Sequence, residues 1–410
     1  MTVPAFLHPF ARPAATEFIT IVSGSGARVT DADGREYVDA MASLWYCNIG
    51  HGRRRVAEAV AAQLRRLDAF HTFELFTNPP AERICDEVAA LAPVPGSRVF
   101  LTCSGSEAVD SAVKIARLSQ ALRGHPERTV IVSRRPSYHG VTYAGMTATG
   151  LPPNQEHFGP LVPDMVQTPH DDLDAVAEVF AHRSGEVAAV IAEPVIGAGG
   201  VYPPAPGYLQ GLRRLCDEHG AWLILDEVIC GFGRLGRWWG AQRYDVRPDL
   251  STFAKAVTSG YQPLGGVVVA PAVRDVLEAD PAVVLRHGHT YSGHPAACAA
   301  AVEVLAITRE EGLLDRAEKI GDRLSSGLTA LHRDGLVVEV RGDGAVWAVG
   351  LDDVDAMKVR DAMLDEGVIP RPIGTATLSF CPPLVIDDAD IDRCVEALET
   401  ALRRVRGLAA

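Results

Sequence analysis

This 410-residue chain has few of the features that mark nucleic-acid-binding, membrane and secreted proteins. Basic residues are outnumbered, with 39 Lys and Arg against 52 Asp and Glu, which gives a formal net charge of −13. This deficit leaves no basic patch to offset phosphates, so we expect neither a nucleic-acid nor an anionic-membrane partner. No apolar run approaches the ~20 residues that a membrane-spanning helix needs.

Cysteine is scattered along the chain, and no pair has CxxC spacing. The eight positions are Cys47, Cys85, Cys103, Cys216, Cys230, Cys298, Cys381 and Cys394. This pattern predicts neither a disulfide framework nor a zinc site and fits a reduced cytosol. The first thirteen residues lack a basic start, a long apolar core and a cleavage site, so we expect a cytoplasmic protein without a secretory signal. Internal repeats, low-complexity tracts and a GxSxG motif are also missing.

The bulk composition is that of an ordinary globular protein, with 47% hydrophobic and 22% charged residues. A chain of this length exceeds what one core usually supports. We therefore expect two domains, or one large and one small.

The stretch 221–255 organises the rest of the chain. The unbroken apolar run 221–225 predicts a strand buried on both faces, as in a parallel sheet covered by helices. Asp226 and Glu227 follow directly, at the carboxyl end of the strand, where open α/β sheets hold their ligands. Lys255 comes later, among small and apolar residues, where an ammonium is costly to bury. A Schiff base to an aldehyde cofactor gives such a lysine a purpose, and Asp226 could then partner a pyridinium nitrogen. Alternatively, Asp226 caps a strand and Lys255 extends its amine to the surface.

A second candidate site lies at 102–108. A short strand at 99–101, a Gly/Ser turn and a helix from Val109 to Leu122 together predict an anion site, because free N–H groups and the helix dipole face the ligand. The alternative is an ordinary helix N-cap supported by Glu107.

These motifs resemble those of class III aminotransferases, from about Val29 to Leu384. The resemblance is carried by LDEVICGFGRLG (225–236) followed by TFAKAVTSGYQPLGG (252–266), with SGSEA (104–108), YHG (138–140), EPV (193–195) and HTYSGHP (289–295). It implies an α/β fold, the type I fold of pyridoxal-phosphate (PLP) enzymes. The large domain would carry a mostly parallel seven-stranded sheet and the smaller domain would be α+β.

The resemblance also implies a domain division and a homodimer with shared active sites. We expect an N-terminal segment at 1–55 that packs with the small domain, a large PLP-binding domain at 56–300 and a small domain at 301–410. Thr290 would reach the cofactor phosphate of the neighbouring subunit.

In this family the cofactor contacts follow the motifs. Lys255 would be the Schiff-base lysine and proton carrier, and Asp226 would stabilise the protonated ring nitrogen. The remaining cofactor-binding positions implied are Ser104, Gly105 and Ser106 at the phosphate, Tyr138 and His139 near the ring, Glu193 beside the cofactor, Val228 against the ring face, and Thr290. His139 could instead be a core histidine.

Three residues are candidates for the substrate. The resemblance places Trp45 at the substrate entrance, Tyr138 beside the cofactor, and Arg371 on a substrate carboxylate. Two prolines fix the backbone around Arg371, and guanidinium grips a carboxylate through two parallel hydrogen bonds. The alternatives are that Trp45 is a core residue and that Arg371 is an ordinary surface arginine.

Two further positions favour one branch of the family. Ornithine- and 4-aminobutyrate-type members carry a glutamate where this chain has Ala198, and 4-aminobutyrate enzymes often carry Gln where it has Ile229. The resemblance therefore implies transfer of an amino group from an ω-amino acid or primary amine to pyruvate. Remaining alternatives are a 7,8-diaminopelargonate or 4-aminobutyrate/2-oxoglutarate enzyme, a same-fold aminomutase, and a non-catalytic PLP-binding protein.

We expect no metal site. His287, His289 and His294 lie close in sequence, but they lack the spacing of HExxH and no acid lies among them.

Overall fold

The computed structural model describes residues 4–408, so the ends of the expected domain ranges, 1–3 and 409–410, lie outside the described residues. The helices are α1 (Ala42–Trp45), α2 (Arg54–Arg66), α3 (Pro79–Leu91), α4 (Gly105–Leu122), α5 (Tyr143–Ala148), α6 (Leu173–His182), α7 (Tyr208–His219), α8 (Gly240–Arg243), α9 (Pro271–Glu278), α10 (Pro295–Glu310), α11 (Leu313–Arg333), α12 (Ala356–Asp365) and α13 (Asp388–Arg406). Short 3₁₀ turns cover Pro152–Asn154 and Lys255–Val257.

The strands are β1 (Ile21–Ser25), β2 (Arg28–Asp31), β3 (Glu36–Asp39), β4 (Arg98–Thr102), β5 (Val130–Arg135), β6 (Met165–Pro169), β7 (Val187–Ala192), β8 (Trp222–Asp226), β9 (Leu250–Phe253), β10 (Gly265–Val269), β11 (Glu339–Asp343), β12 (Val346–Gly350), β13 (Val368–Ile369), β14 (Arg371–Ile373) and β15 (Thr377–Phe380).

The central sheet has seven strands in the order β4-β10-β9-β8-β7-β5-β6. Only β10 runs antiparallel to its neighbours, so the prediction of a mostly parallel seven-stranded sheet is confirmed. Every residue of β7 and β8 is buried, since helices cover both faces of the sheet. One face packs on α4, and α3 and α7 contribute to the core on the other. The apolar run at 221–225 therefore forms a central strand.

The N-terminal strands belong to a second sheet. Strands β1, β2 and β3 form an antiparallel meander, and β3 pairs in parallel with β13 from the C-terminal part of the chain. Strands β2 and β3 form a hairpin, and Gly34 in its turn has φ +83°, a conformation that glycine adopts without steric cost.

The C-terminal part forms a third, antiparallel sheet in the order β11-β12-β15-β14. Helices α11, α12 and α13 pack around it, and their core is continuous with residues of the N-terminal meander such as Val38. Helix α10 runs between this core and the one beneath the central sheet.

One local expectation differs from the structure. Helix α4 begins at Gly105 rather than at Val109, because Ser104 acts as its N-cap. The proline-containing stretch 150–170 includes β6, which forms the edge of the central sheet. Within residues 4–408, none of the helices is both long and apolar enough to cross a bilayer.

Candidate active site

The carboxyl ends of β5, β7, β8 and β9 open onto a cavity of about 390 Å³, within the usual size of small-molecule sites. Nine residues expected at the cofactor line it together: Ser104, Gly105, Ser106, Tyr138, His139, Glu193, Asp226, Val228 and Lys255. They come from five separate stretches of the chain. The parallel sheet brings them together because its strands end at one edge.

Asp226 ends β8 and is held from three directions. Its Oδ2 lies 2.8 Å from Nδ1 of His139, and its Oδ1 accepts hydrogen bonds from the Thr252 hydroxyl at 2.9 Å and the Val228 N–H at 3.2 Å. Thr252 stands opposite Asp226 in the register of β8 and β9. The carboxylate is 4% exposed, so its orientation is fixed by these partners.

Lys255 follows β9 and begins a 3₁₀ turn. Its φ of +49° is unusual for a residue with a side chain, and such backbone strain concentrates at functional sites. Burial lowers the pKa of its amine, while the negative charges of Asp226 and Glu193 act in the opposite direction. The balance favours an amine that can give up its proton more readily than a surface lysine.

The first turn of α4 forms the anion-binding end of the cavity. The Ser104 hydroxyl accepts a hydrogen bond from the Glu107 N–H at 3.2 Å and so caps the helix, and the Glu107 carboxylate accepts one from the Cys103 N–H at 2.7 Å. Within the described residues, the N–H groups of Gly105 and Ser106 make no hydrogen bond, which leaves them available to an anion.

Both glycines at this end are required by close contacts. A Cβ on Gly105 would lie 2.9 Å from Val228 Cγ1, and one on Gly140 would lie 2.5 Å from the Ser106 hydroxyl. Gly140 also has φ +110°. The backbone can therefore come close to a bound group only with glycine at these positions.

The donors and acceptors of the cavity fit PLP. Unpaired helix N–H groups suit its phosphate, a buried amine suits its aldehyde, and a fixed carboxylate suits a protonated ring nitrogen. These three functions occupy separate parts of the lining, at Gly105 and Ser106, at Lys255 and at Asp226.

Glu193 ties two loops of the site together. Its carboxylate accepts hydrogen bonds from the Tyr138 N–H at 3.0 Å and the Gly197 N–H at 2.8 Å. Burial raises the pKa of Glu193, and burial likewise raises that of the Tyr138 hydroxyl. Glu193 therefore acts through the backbone, fixing where Tyr138 stands beside the cavity.

Glu227 has a comparable role in the neighbouring loop. Its carboxylate accepts hydrogen bonds from the N–H groups of Gly240 and Ala241, at 2.8 and 2.6 Å. Burial raises the pKa of Glu227 to about 7. Glu227 thereby connects the end of β8 to the short helix α8.

Trp45 lies directly behind the cavity lining. Its ring is 4% exposed and packs in a cluster with Val195, Ile229 and Cys230, while Nε1 points at the sulfur of Met41. Ile229 and the adjacent residue Tyr46 line the cavity of the single chain. The role of Trp45 at the substrate entrance stays a prediction.

Two further candidates lie outside the cavity of the single chain. Thr290 is exposed, as a residue that serves a neighbouring subunit would be. Arg371 lies on β14, and its charge acts on the Tyr138 hydroxyl, which places it on the cavity side of the C-terminal sheet. Within the described residues, no carboxylate pairs with its guanidinium.

Among residues 4–408, no cluster of three or more His, Cys, Asp or Glu side chains is arranged to hold a metal ion. His287 instead contacts the Ser111 hydroxyl and the Lys114 amine.

Sequence reasoning missed several lining residues. Tyr46, Cys103, Thr258 and Gln262 face the cavity, and Thr252 holds Asp226 from the adjacent strand. A signal for Thr252 was available, because a buried polar residue near the end of a strand followed by Lys255 points to the same sheet edge. Tyr46 had no such signal, since an irregular loop does not reveal which of two adjacent aromatic rings turns inward.

Comparison with known proteins agrees with this geometry. Residues 10–402 match the family described as aminotransferase class-III. An omega-aminotransferase from Caulobacter vibrioides is 35% identical over 93% of both chains. A beta-alanine–pyruvate aminotransferase from Pseudomonas aeruginosa is 35% identical over 94% of this chain and 92% of its own. An amine transaminase from an uncultivated Pseudomonas species, solved in its PLP-bound form, superposes with a TM-score of 0.94 at 34% identity, covering 98% of this chain and 99% of its own.

Proposed function

The chain belongs to the class III aminotransferases and is a PLP-dependent aminotransferase, and from this we propose that it moves an amino group from an ω-amino acid or primary amine to pyruvate. The observation that carries the proposal is the convergence of Lys255, Asp226 and the first turn of α4 on one cavity. The names of the two relatives, an omega-aminotransferase and a beta-alanine–pyruvate aminotransferase, support the choice of donor and acceptor.

When bound, PLP supplies an aldehyde that takes up the amino group and a ring that withdraws electrons from the donor carbon. We assign the N–H groups of Gly105 and Ser106, with the Ser104 cap, to its phosphate. Lys255 would hold the aldehyde in the resting enzyme. Val228 packs against Gly105 and would press on the ring.

Asp226 supplies a negative charge that does not move. The Thr252 hydroxyl, the Val228 N–H and the His139 ring all contact its oxygens, so no reorganisation is needed when a positive charge stands opposite it. Its role would be to keep the ring nitrogen protonated throughout the reaction.

Lys255 would move the proton. Once its amine is free, Nζ can accept the proton from the donor carbon and return it to the cofactor side, because burial lowers the pKa of the amine. Its backbone conformation and the 3₁₀ turn at Lys255–Val257 fix where the side chain starts. General acid–base catalysis of this kind contributes typically ~10²–10⁴-fold.

The site favours a keto acid with one carboxylate. Arg371 lacks an ion pair within the described residues, and Ala198 cannot supply one, so its guanidinium is available to the acceptor. A second carboxylate, as in 2-oxoglutarate, would meet a lining in which Lys255 and His139 are the only basic side chains described. Leaving such a charge unpaired is costly, which supports pyruvate.

Incubating the PLP-loaded enzyme with a panel of ω-amino acids and primary amines, each with pyruvate or 2-oxoglutarate, tests the proposal. We expect alanine to form from pyruvate with at least one donor, at a higher kcat/KM than glutamate from 2-oxoglutarate. Turnover with 2-oxoglutarate alone would overturn the acceptor assignment. Amino transfer within one molecule, without a keto acid, would favour an aminomutase instead.

We also propose a homodimer with shared sites, a cytoplasmic location and the division at residues 55 and 300. Exposed Thr290 and the exposed apolar side chains of Phe70, Leu75 and Tyr291 support an interface, and the eight free thiols support a reduced compartment. The pairing of β3 with β13 supports joining the N-terminal segment to the small domain. Light scattering, cell fractionation and limited proteolysis respectively test these three statements.

A further inference from the structure

The side chains of a cysteine, a histidine and an aspartate form a chain of contacts in the segment from the last residue of β3 to the start of α2. The Sγ of Cys47 is 3.6 Å from Nδ1 of His51, and Nε2 of His51 is 2.8 Å from Oδ2 of Asp39. None of the three is among the described residues that line the cavity. The arrangement therefore has a nucleophilic sulfur, an imidazole beside it and a carboxylate that orients the imidazole, and the transamination does not use it.

The backbone of this segment builds the arrangement. Asp39 ends β3 and is 2% exposed, and its two oxygens also accept hydrogen bonds from the N–H groups of Met41 and Ser43. His51 is fixed by paired backbone hydrogen bonds with Gly26. Both ends of the line are thus held by the main chain, and the imidazole cannot turn away from the sulfur without breaking its contact with Asp39.

The histidine carries a positive charge at neutral pH. The Asp39 carboxylate, and after it Cys47, raise the pKa of His51 to about 10, which outweighs the lowering caused by burial. The sulfur therefore faces an imidazolium, and the fully buried Arg234 adds a second positive charge within electrostatic reach of Cys47. Reactive cysteines are found in such positively charged surroundings.

We propose that Cys47 is a modification site, the thiol of this chain that reacts with small hydroperoxides. The thiolate sulfur attacks one peroxide oxygen and forms an S–O bond while the O–O bond breaks. Hydroxide leaves and takes a proton to become water, so the sulfur is oxidised to a sulfenic acid and the peroxide is reduced. A dithiol reverses the change, taking the oxygen off as water and becoming a cyclic disulfide.

Burial limits which reagents can react. Cys47 is 2% exposed, whereas the His51 side chain beside it is 21% exposed. Hydrogen peroxide is small and uncharged and can pass where the ring reaches solvent, but glutathione disulfide is too bulky. We therefore expect Cys47 to react with small peroxides and not with bulky disulfides.

Oxidation at this position reaches the active site through one peptide bond. Tyr46 lines the cavity, and Asn48 on the other side of Cys47 binds Arg234 at 2.5 Å and the Phe232 carbonyl at 3.2 Å. An added oxygen has no room in this close packing, so the segment must shift. We expect the oxidised enzyme to lose transaminase activity and a dithiol to restore it.

Cys103 is the matched control within the same chain. It lines the active-site cavity and is more exposed than Cys47, yet burial raises the pKa of its thiol to about 11, with Glu107 adding to the shift. Exposure alone predicts that Cys103 reacts first. The positive charge beside Cys47 predicts the reverse order.

The experiment treats folded, PLP-loaded wild-type enzyme with hydrogen peroxide for increasing times and then removes the peroxide with catalase. The protein is next unfolded in the presence of a dimedone-type probe for sulfenic acid, so that the probe reaches every cysteine, and the labelled cysteines are mapped by mass spectrometry. We expect Cys47 to be oxidised about tenfold faster than Cys103, in keeping with an imidazolium-paired thiol. Equal or faster oxidation of Cys103, or no oxidation of Cys47 in the folded enzyme, would overturn the proposal. Rapid modification of Cys47 by glutathione disulfide would contradict the size limit.

Two variants then separate the reactivity of Cys47 from the effect of its oxidation on transaminase activity. His51→Asn should slow modification of Cys47 about tenfold and leave Cys103 unchanged, because the cation beside the sulfur is lost. Cys47→Ser should keep its activity during peroxide treatment that inactivates the wild type. A Cys47→Ser enzyme as sensitive as wild type would overturn the link to activity. If His51→Asn does not fold, Asp39→Asn provides the same comparison, and the wild-type labelling order decides without any variant.

Discussion

Asp226 is a carboxylate whose two oxygens both have fixed partners. The His139 ring, the Thr252 hydroxyl and the Val228 N–H orient it. Such an arrangement suits a charge that must stay in place rather than one that takes up protons. The sequence predicted Asp226 from its position after a buried strand, but not the partners, since strand register and loop contacts are not written in local pattern.

We predict that Asp226→Asn lowers kcat by on the order of 10²–10³-fold, because the amide keeps the shape of the side chain but loses its charge. Thr252→Ser, which keeps the hydroxyl on Oδ1, should cost less than tenfold. Single-turnover kinetics with saturating PLP measure both effects. An Asp226→Asn enzyme within a factor of ten of wild type would remove the carboxylate from the mechanism.

Arg371 should bind the carboxylate of the keto acid and should not affect an amine donor that lacks a carboxylate. We predict that Arg371→Ala raises KM for pyruvate by about 10- to 100-fold, the value of a hydrogen-bonded ion pair, and leaves the half-reaction with an amine lacking a carboxylate nearly unchanged. The matched control is the exposed Arg214 on α7, whose replacement by Ala should change neither quantity. Equal losses in both half-reactions would show a structural role for Arg371.

The aromatic pair Trp45–Tyr46 shows where residue-scale prediction is limited. Ala42, Ser43 and Trp45 in the distorted turn α1 all have positive φ, so no helical or strand period tells which ring turns inward. Tyr46 lines the cavity, and Trp45 packs behind Ile229. By contrast, Lys255 was predictable, because it follows an apolar stretch and stands among small and apolar residues.

At the scale of elements, the start of α4 shows how a motif can be read two ways. Ser104 to Glu107 reads as a Gly/Ser turn by composition, and the helix was therefore expected from Val109. The same residues also have the Ser-x-x-Glu pattern of a helix start, and Ser104 caps the helix, which begins at Gly105. The predicted phosphate site does not depend on where the helix begins, because in both cases free backbone N–H groups lie at the same end of the helix.

Edge strand β6 was not predictable in the same way. Its residues are only partly buried, and prolines stand near both ends, at Pro163 and Pro169. Pairing with β5 on one side alone supplies the order that the local sequence does not show. The central strand β8, buried on both faces, was predictable from its unbroken apolar run.

Glu227, which connects the end of β8 to α8, should make the free energy of unfolding depend on pH. Burial raises the pKa of Glu227 to about 7, from an ordinary value of 4.5. Between these values the folded protein holds a proton that the unfolded chain has released, so rising pH lowers the free energy of unfolding, by up to about 3 kcal/mol across this window.

We predict that Glu227→Gln, which cannot ionise, removes this part of the dependence. The difference in thermal midpoint between wild type and variant should move in favour of the variant as pH rises from 5 to 8. Comparing the two proteins at each pH cancels the titration of all other groups. A difference that stays constant, or moves in favour of the wild type, would contradict the assigned protonation of Glu227.

At the scale of the whole molecule, one buried arginine joins three parts of the chain. Arg234 is fully buried and donates to the Ala345 and Pro382 carbonyls, at 3.1 and 2.7 Å, and to the Asn48 side chain. These partners belong to the N-terminal segment and the C-terminal part, while Arg234 follows β8. The resemblance implied that the ends of the chain pack together, but no sequence pattern pointed to the residue that connects them.

We predict that Arg234→Lys destabilises the protein by about 3–5 kcal/mol, since a lysine cannot reach all of these acceptors and leaves a charge buried. Arg237→Lys, at a half-exposed position near Glu318, should stay within about 0.5 kcal/mol of wild type. Chemical denaturation of the PLP-loaded proteins measures both. Equal stability of the two variants would show that Arg234 does not hold these parts together.

The covalent attachment of PLP to Lys255 is the claim on which the proposed function most depends. Reducing the PLP-loaded enzyme with borohydride, after removal of free cofactor, fixes any such attachment for peptide mapping. We predict that the label lies on Lys255 alone among the four lysines and that Lys255→Ala shows neither label nor turnover. A label on Lys114, Lys319 or Lys358 instead, or full turnover by Lys255→Ala, would contradict the account.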